Sequence, residues 1–284
     1  LLIMSVLTPF TLYLAIKNPV EDCGCFGDAV ILTNWQTFGK NVFLLVLSLI
    51  VFIKRSLIVP FMKEKRYWAI TVIVTLVAIR FMTSNISGLP VLDFRPYKVG
   101  TDLRGEVLGS PKNPAMTDFS LMDGQMNDVT ADILSNPGYT FLLVSPHLED
   151  AGENGLDLID DLFDYCSYWG YEMIGVTSSG SETVRQWTEN AGAELRFLFC
   201  DEIPLQTMVR SNPGLVLLKD GVIVNKWSYS RIPSDEILRA PLEEIPVGCL
   251  PAPNPMRTPW AVALLFILPL LMVVLIDKLN GLIQ

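Results

Sequence analysis

Histidine is nearly absent: His147 is the one example in 284 residues. That excludes the multi-histidine ligand sets of catalytic zinc and non-haem iron sites. Cysteine is sparse, with five in the chain, and no two stand at Cys-x-x-Cys spacing. Basic residues are outnumbered, 21 Lys and Arg against 30 Asp and Glu. The net charge of -9 argues against nucleic acid as a partner. Charged residues make up only 18% of the chain while hydrophobic ones make up 50%, and mean hydropathy is positive. A chain this apolar is not an ordinary soluble protein. Repeats and low-complexity tracts are missing as well.

What is present begins with long apolar runs. About 18 apolar residues cross a bilayer, and 259–276 (PWAVALLFILPLLMVVLI) has that length. The runs 38–53 and 67–82 are shorter and become adequate if Lys40 and Arg80 extend to an interface. The run 1–16 lacks an initiator Met, a basic leading region and a cleavage site. It reads as a membrane helix truncated upstream rather than as a signal peptide. Trp35 and Trp260, near helix starts, read as interfacial anchors.

Basic residues in short loops face the cytoplasm. Lys54, Arg55, Lys63, Lys65 and Arg66 all lie between the second and third runs. This places the loop holding Cys23 and Cys25 on the opposite side, together with the long polar segment after 82. In a bacterial inner membrane that side is the periplasm, where thiols can be oxidised.

Residues 84–117 are rich in Gly and Pro and read as a linker. A hairpin turned at Asp123-Gly124 is expected over 118–129. The apolar runs 140–145, 171–177 and 195–199 suit buried strands. Between them, 156–169 carries Ile159, Leu162, Phe163 and Cys166 at helical spacing. Ser179 and Glu182 mark a capping box for a second helix ending at Gly192. A short helix around 205–209 precedes a hairpin of 215–218 and 222–228 about Asp220-Gly221. The order β, α, β, α, β, α and hairpin argues for an α/β sandwich with a mixed sheet.

That order, with SNPGLVLLKDG leading into the hairpin, resembles the thioredoxin fold. The resemblance implies a cis peptide before Pro213, beside the active site. It also implies a Cys-x-x-Cys just after the first central strand, where this chain reads Ser145-Pro146-His147-Leu148-Glu149-Asp150. The fold is supported, and independent oxidoreductase activity of that domain is not.

Cys23-Gly24-Cys25 lies in EDCGCFGD between two apolar runs. A disulfide across one residue closes a small ring, and strained geometry makes such a bond easier to reduce. Gly24 supplies the backbone freedom such a ring needs. Asp22 and Asp28 would raise the thiol pKa values, and Arg80 would lower them if it approached. A redox pair, a structural disulfide and idle loop thiols all remain open from these residues. Two thiolates with a single histidine make a poor zinc set.

The stretch NPVEDCGCFGDA, followed by LTNWQTFGKN at the head of a membrane helix, closely resembles the MauE branch of the MauE/DoxX membrane proteins. The resemblance implies a small helical bundle tied to periplasmic thiol and disulfide chemistry. The MauE name comes from methylamine utilisation, where the protein supports maturation of a disulfide-rich subunit; methylamine metabolism is not implied here. Carried over, Cys23 and Cys25 would be the redox pair. The expected binding residues are Gly24 and Arg80 beside that pair and Pro213, which the thioredoxin resemblance places at its active site.

Cys166 reads as a buried core thiol. Cys200, at a strand end, and Cys249, in a Pro-rich tether, are secondary thiol candidates, and His147 reads as a solvated loop residue. The expected plan is an α-helical transmembrane bundle plus an α/β thioredoxin-like domain. Its parts are membrane helices over 1–84, a linker over 85–117, the thioredoxin-like domain over 118–240, a second linker over 241–258 and a last membrane helix over 259–278. The expected function is thiol-disulfide exchange with periplasmic thiol proteins, electrons passing to a membrane quinone or a partner. The alternative is a membrane-anchored thioredoxin-like binding module without catalysis.

Overall fold

The computed structural model describes residues 1–18, 32–57, 64–86, 90, 92–109, 116–151, 156–191, 195–252 and ten positions between 260 and 275. The Cys23-Gly24-Cys25 loop, residues 58–63 of the basic loop, Pro111, Pro114 and Gly192 lie outside the described residues. Two compact units divide the chain: Leu1–Leu76 with Ala263–Gln284, and Val77–Val262.

In the first unit, α1 (Leu2–Lys17) packs against α2 (Asn34–Ile53). A capping box starts α2. Thr33 Oγ1 accepts from Gln36 N at 3.3 Å, and Gln36 Oε1 accepts from Thr33 N at 3.0 Å. The polarity of this pair is reversed relative to a water-soluble bundle. Thr8, Thr11, Asn34, Thr37 and Asn41 are buried, while Leu2, Ile3, Val6, Phe10, Phe43, Val46 and Val51 are exposed. Asn41 Nδ2 donates to Thr11 Oγ1 at 3.2 Å inside the seam, and Asn34 Nδ2 donates to Asn18 Oδ1 at 2.8 Å. Among the described residues α2 is long and apolar enough to cross a membrane; Leu2–Lys17 and Ile70–Asn85 are shorter apolar helices. The latter belongs to α3 (Glu64–Ile86).

The second unit is built on five strands: β1 (Tyr139–Ser145), β2 (Glu172–Thr177), β3 (Arg196–Phe199), β4 (Gly214–Lys219) and β5 (Val222–Ser228). Their order across the sheet is β3-β2-β1-β4-β5, with β1, β2 and β3 parallel and β4 and β5 antiparallel. The helices are α4 (Leu103–Leu108), α5 (Thr130–Leu134), α6 (Leu156–Trp169), α7 (Ser181–Ala191) and α8 (Glu202–Met208). This is the thioredoxin-like arrangement. Both sheet faces are covered, so β1 reads as a continuous apolar run: Leu142 and Val144 enter one core, Phe141 and Leu143 the other. Asp220 and Gly221 turn the β4–β5 hairpin with φ of 51 and 81. A Cβ at Gly221 would stand 2.6 Å from the Leu134 carbonyl oxygen, so only glycine fits.

Two local expectations are corrected, and a third is met by a short hairpin. The segment read as a linker is in good part a covering layer of the sheet: Tyr97, Leu103 and Met116 are fully buried against it. Asp102 caps α4 by accepting from Gly105 N at 2.9 Å, and Gly100 N donates to Ile223 O at 2.8 Å. Its backbone is irregular, as the Gly and Pro content implied, but its spaced apolar side chains find the sheet without any period to announce it. The 118–129 hairpin forms as a short one: Met122 bridges antiparallel to Asp128, Val129 N donates to Leu121 O at 2.9 Å, Asp123 Oδ1 accepts from Gln125 N and Asn127 N in the turn, and Met122 also bridges to Phe199 of β3. The Ser179–Glu182 capping box does not form. The helix starts at Ser181, Glu182 pairs with Arg185, and Ser179 Oγ instead accepts from Leu148 N.

Candidate functional site

At one end of the sheet, β1 finishes at Ser145 and β4 begins at Gly214, and the turns beyond them face each other. Ser145 is fully buried and its Oγ donates to Asn212 Oδ1 at 2.6 Å. Asn212 Nδ2 donates to the His147 carbonyl oxygen. One amide side chain thus clamps the end of β1 and the turn that follows it. The Asn212–Pro213 peptide is cis, as the resemblance implied.

His147 stands in the place where the resemblance put a nucleophilic cysteine. It is not a free solvated residue: Nε2 lies 3.0 Å from Glu202 Oε1 and Nδ1 lies 3.5 Å from Glu149 Oε1. The Glu202 hydrogen bond, with the charges of Glu202, Glu149 and Asp150, raises its pKa above the usual histidine value despite some desolvation. Glu149 is held in turn by Ser179, whose Oγ donates to Oε2 at 2.7 Å; that bond lowers the carboxyl pKa first, ahead of the His147 charge.

A cavity of about 410 Å³ opens between the Pro146-His147 turn, Arg95 and the segment 206–212. Ser211 and Asn212 line it, whereas Pro213 is buried and does not. Arg95 donates to the carbonyl oxygens of Gln206 and Thr207, and Arg210 Nη1 donates to Asn85 O at 3.3 Å. Behind them the buried Lys226 ammonium lies 3.2 Å from Asp93 Oδ2 and donates to Tyr97 O at 2.8 Å. Burial lowers the Lys226 pKa first, Asp93 raises it, and the charges of Arg95 and Arg210 lower it again.

The thiols of the described residues lie elsewhere. Cys166 is buried in the core beneath α6, its thiol pushed up to about 12 by burial. Cys200 ends β3 at the same end of the sheet as Ser145, but burial pushes its thiol up to about 11. It is therefore not a ready thiolate, contrary to its candidacy as an exchanging thiol. Cys249 is exposed. It follows Gly248, whose carbonyl accepts from Tyr139 OH at 2.9 Å at the far end of β1. Six strand residues, about 20 Å, separate that end from Ser145. Arg80 is exposed on α3. Cys23, Gly24 and Cys25 lie outside the described residues.

Sequence reasoning missed Arg95, Gln206, Val209 and Arg210. Arg95 lay in a supposed linker, and Arg210 is one residue upstream of the Ser-Asn-Pro-Gly stretch that was read for its proline alone.

No family model matches the sequence, and no curated protein matches it. Solved structures are similar to part of the chain at low identity. A thiol:disulfide interchange protein from Bacteroides sp. is 12% identical over 45% of this chain and 85% of that one, with a TM-score of 0.35. The thioredoxin domain of a thiol-disulfide oxidoreductase from Bacteroides vulgatus is 15% identical over 38% and 81%, with a TM-score of 0.31. A variant of peroxiredoxin Q from Xanthomonas campestris is 16% identical over 45% and 92%, with a TM-score of 0.32. The fold assignment rests on the strand order of this chain.

Proposed function

We propose that this chain is a membrane-anchored thiol-disulfide protein of the MauE/DoxX type that divides its labour. The thioredoxin-like domain holds a client at the cavity beside His147 and Asn212, and Cys23 and Cys25 carry out the exchange. The observation that carries this reading is an open cavity, at the end of β1 where the fold family keeps its thiols, lined by His147 and Asn212 and, among the described residues, by no cysteine. The reversed polarity of the α1–α2 pair supports a lipid environment, because in hydrocarbon the polar side chains gain by facing each other. The NPVEDCGCFGDA stretch supports the assignment of the pair.

In the exchange, a thiolate of one partner attacks the disulfide of the other and a mixed disulfide forms. A second thiolate then releases it, and two electrons and two protons leave the partner that began reduced. A membrane quinone is the class of electron partner proposed for the bundle. The soluble domain stands in the periplasm of a bacterial inner membrane in this reading, opposite the basic loop.

The test is trapping. Cys25→Ser should leave Cys23 joined to a client as a reductant-sensitive adduct in membranes. The second reading, an anchored binding module without catalysis, is favoured by the same absence of a thiol from the cavity. It becomes the better one if neither Cys23→Ser nor Cys25→Ser traps any protein and the double variant retains function.

A further inference from the structure

We infer that His147 is a pH-operated latch on the cavity: as an imidazolium it ties α8 to the turn that follows β1, and loss of its proton loosens the cavity wall that α8 carries. The inference goes beyond the exchange reading and rests on it only for the use of the cavity as a binding face.

The imidazole stands between carboxylates from two elements. Nε2 is 3.0 Å from Glu202 Oε1 on α8, and Nδ1 is 3.5 Å from Glu149 Oε1 on its own turn. A neutral imidazole donates from one nitrogen and presents a lone pair at the other. Only the imidazolium satisfies both carboxylates. Once the proton leaves, Glu202 faces Glu149 and Asp150 without the charge that stood between them, and like charges push the two elements apart.

The turn is held by other bonds. Asn212 Nδ2 donates to the His147 carbonyl, Leu148 N donates to Ser179 Oγ at 2.9 Å, and Ser179 Oγ donates to Glu149 Oε2 at 2.7 Å. The moving part is therefore α8. Glu202 and Gln206, four positions apart, share its exposed face, and Gln206 Nε2 donates to the same Glu202 oxygen that meets His147. Gln206 lines the cavity, so the latch reaches the wall through one side chain.

Among the described residues, the other charges around the imidazole are Asp150 beside Glu149, Asp201 before Glu202, Glu182 and Arg185 on α7, which packs on the turn, and Arg95 and Arg210 across the cavity. Glu182 and Arg185 pair with each other, and the two cavity arginines oppose the proton. The carboxylates prevail: the Glu202 hydrogen bond first, then the charges of Glu202, Glu149 and Asp150, hold the His147 pKa above its ordinary value against some desolvation. The His147 and Glu202 side chains are 37% and 48% exposed, so the latch is worth a few-fold and not orders of magnitude.

The test is hydrogen exchange on the full chain in detergent from about pH 5.5 to about pH 8.5, corrected for the intrinsic pH dependence of exchange. The amides of Gln206 to Val209 should exchange faster than those of β1, reporting local opening of α8. Their protection should fall about two- to fivefold as the pH rises through the NMR midpoint of His147. His147→Gln should abolish the change and Glu202→Gln should reduce it. Constant protection in the parent overturns the latch, as does exchange of α8 only together with β1, or an equal change in His147→Gln. If His147→Gln does not fold, Glu202→Gln decides, and an undiminished change in it overturns the latch. Client trapping by Cys25→Ser with constant protection of α8 removes this inference and leaves the exchange reading standing. A pH-dependent α8 without trapping does the reverse.

Discussion

Ser145 at the end of β1 and Asn212 before β4 are sixty-seven positions apart and joined by a 2.6 Å hydrogen bond from the serine hydroxyl to the amide oxygen. The same amide donates to the His147 carbonyl, so one side chain sets the position of the turn that carries His147. Asn212→Ala should therefore leave the buried Ser145 hydroxyl unpaired and cost about 2 to 3 kcal/mol, whereas Ser145→Ala should cost about 1 kcal/mol. Urea unfolding of the domain signal checks both, and equal costs would show that the clamp does not act through Asn212.

His147 is the single histidine in the chain, so its titration can be followed without assignment. Its folded pKa lies above the unfolded value near 6.5, set first by Glu202. Whatever stability the pair contributes is thus fully present below that value and is lost as pH rises through the folded pKa. NMR titration should give a midpoint above about 6.5, and Glu202→Gln should move it down. A midpoint unmoved by Glu202→Gln would break the assignment.

Asp93 and Lys226 tie the 92–109 segment to β5. Asp93→Ala strands a buried ammonium and should cost about 3 kcal/mol, while Lys226→Met, which removes the buried charge, should cost less. Because the folded Lys226 pKa lies below 10.5, its unfolded form binds more protons, and stability rises as pH climbs through the interval between the two values. In Asp93→Ala that interval widens, so the deficit should shrink at alkaline pH. A constant deficit from neutral pH to about pH 10 would contradict this.

Thiol accessibility separates the cysteines. In a Cys23→Ser/Cys25→Ser background at pH 7, one equivalent, Cys249, should react rapidly with a thiol reagent. Cys166 and Cys200 should react only on unfolding, since burial holds their thiols near 12 and 11. Three fast equivalents would mean that the core opens readily.

Topology follows from the basic loop and can be mapped with single cysteines in a chain otherwise free of them. An impermeant reagent on intact spheroplasts should label Tyr168→Cys, at an exposed position of α6, and not Lys63→Cys. The reverse pattern would place the domain in the cytoplasm and remove its access to oxidised clients.

The strands and main helix of the thioredoxin-like domain were legible because their signals are local. A buried central strand must be apolar on both faces, and 140–145 is; α6 was read over its full length from one apolar stripe; Asp220-Gly221 announces its hairpin through the positive φ that both residues adopt. The covering layer of 92–109 left no such trace, since irregular backbone has no period and Tyr97 and Leu103 reveal their role only where the sheet meets them. The Ser179–Glu182 box failed for a related reason: the spacing is right, but Leu148 N, distant in sequence, takes the serine oxygen.

What the sequence by itself determined is therefore the sheet's composition, the apolar helices, the absence of a thiol after β1 and the uncommon Cys23-Gly24-Cys25 motif. The tertiary structure alone decided what gathers around that thiol-free end. Arg95, His147 and the Glu202–Arg210 segment come from three separate stretches, and the last two meet there because β1 and β4 are adjacent in the sheet and antiparallel. Charges that distant along the chain act on one another only once folding has excluded the water between them, so no local pattern encodes the cavity they form.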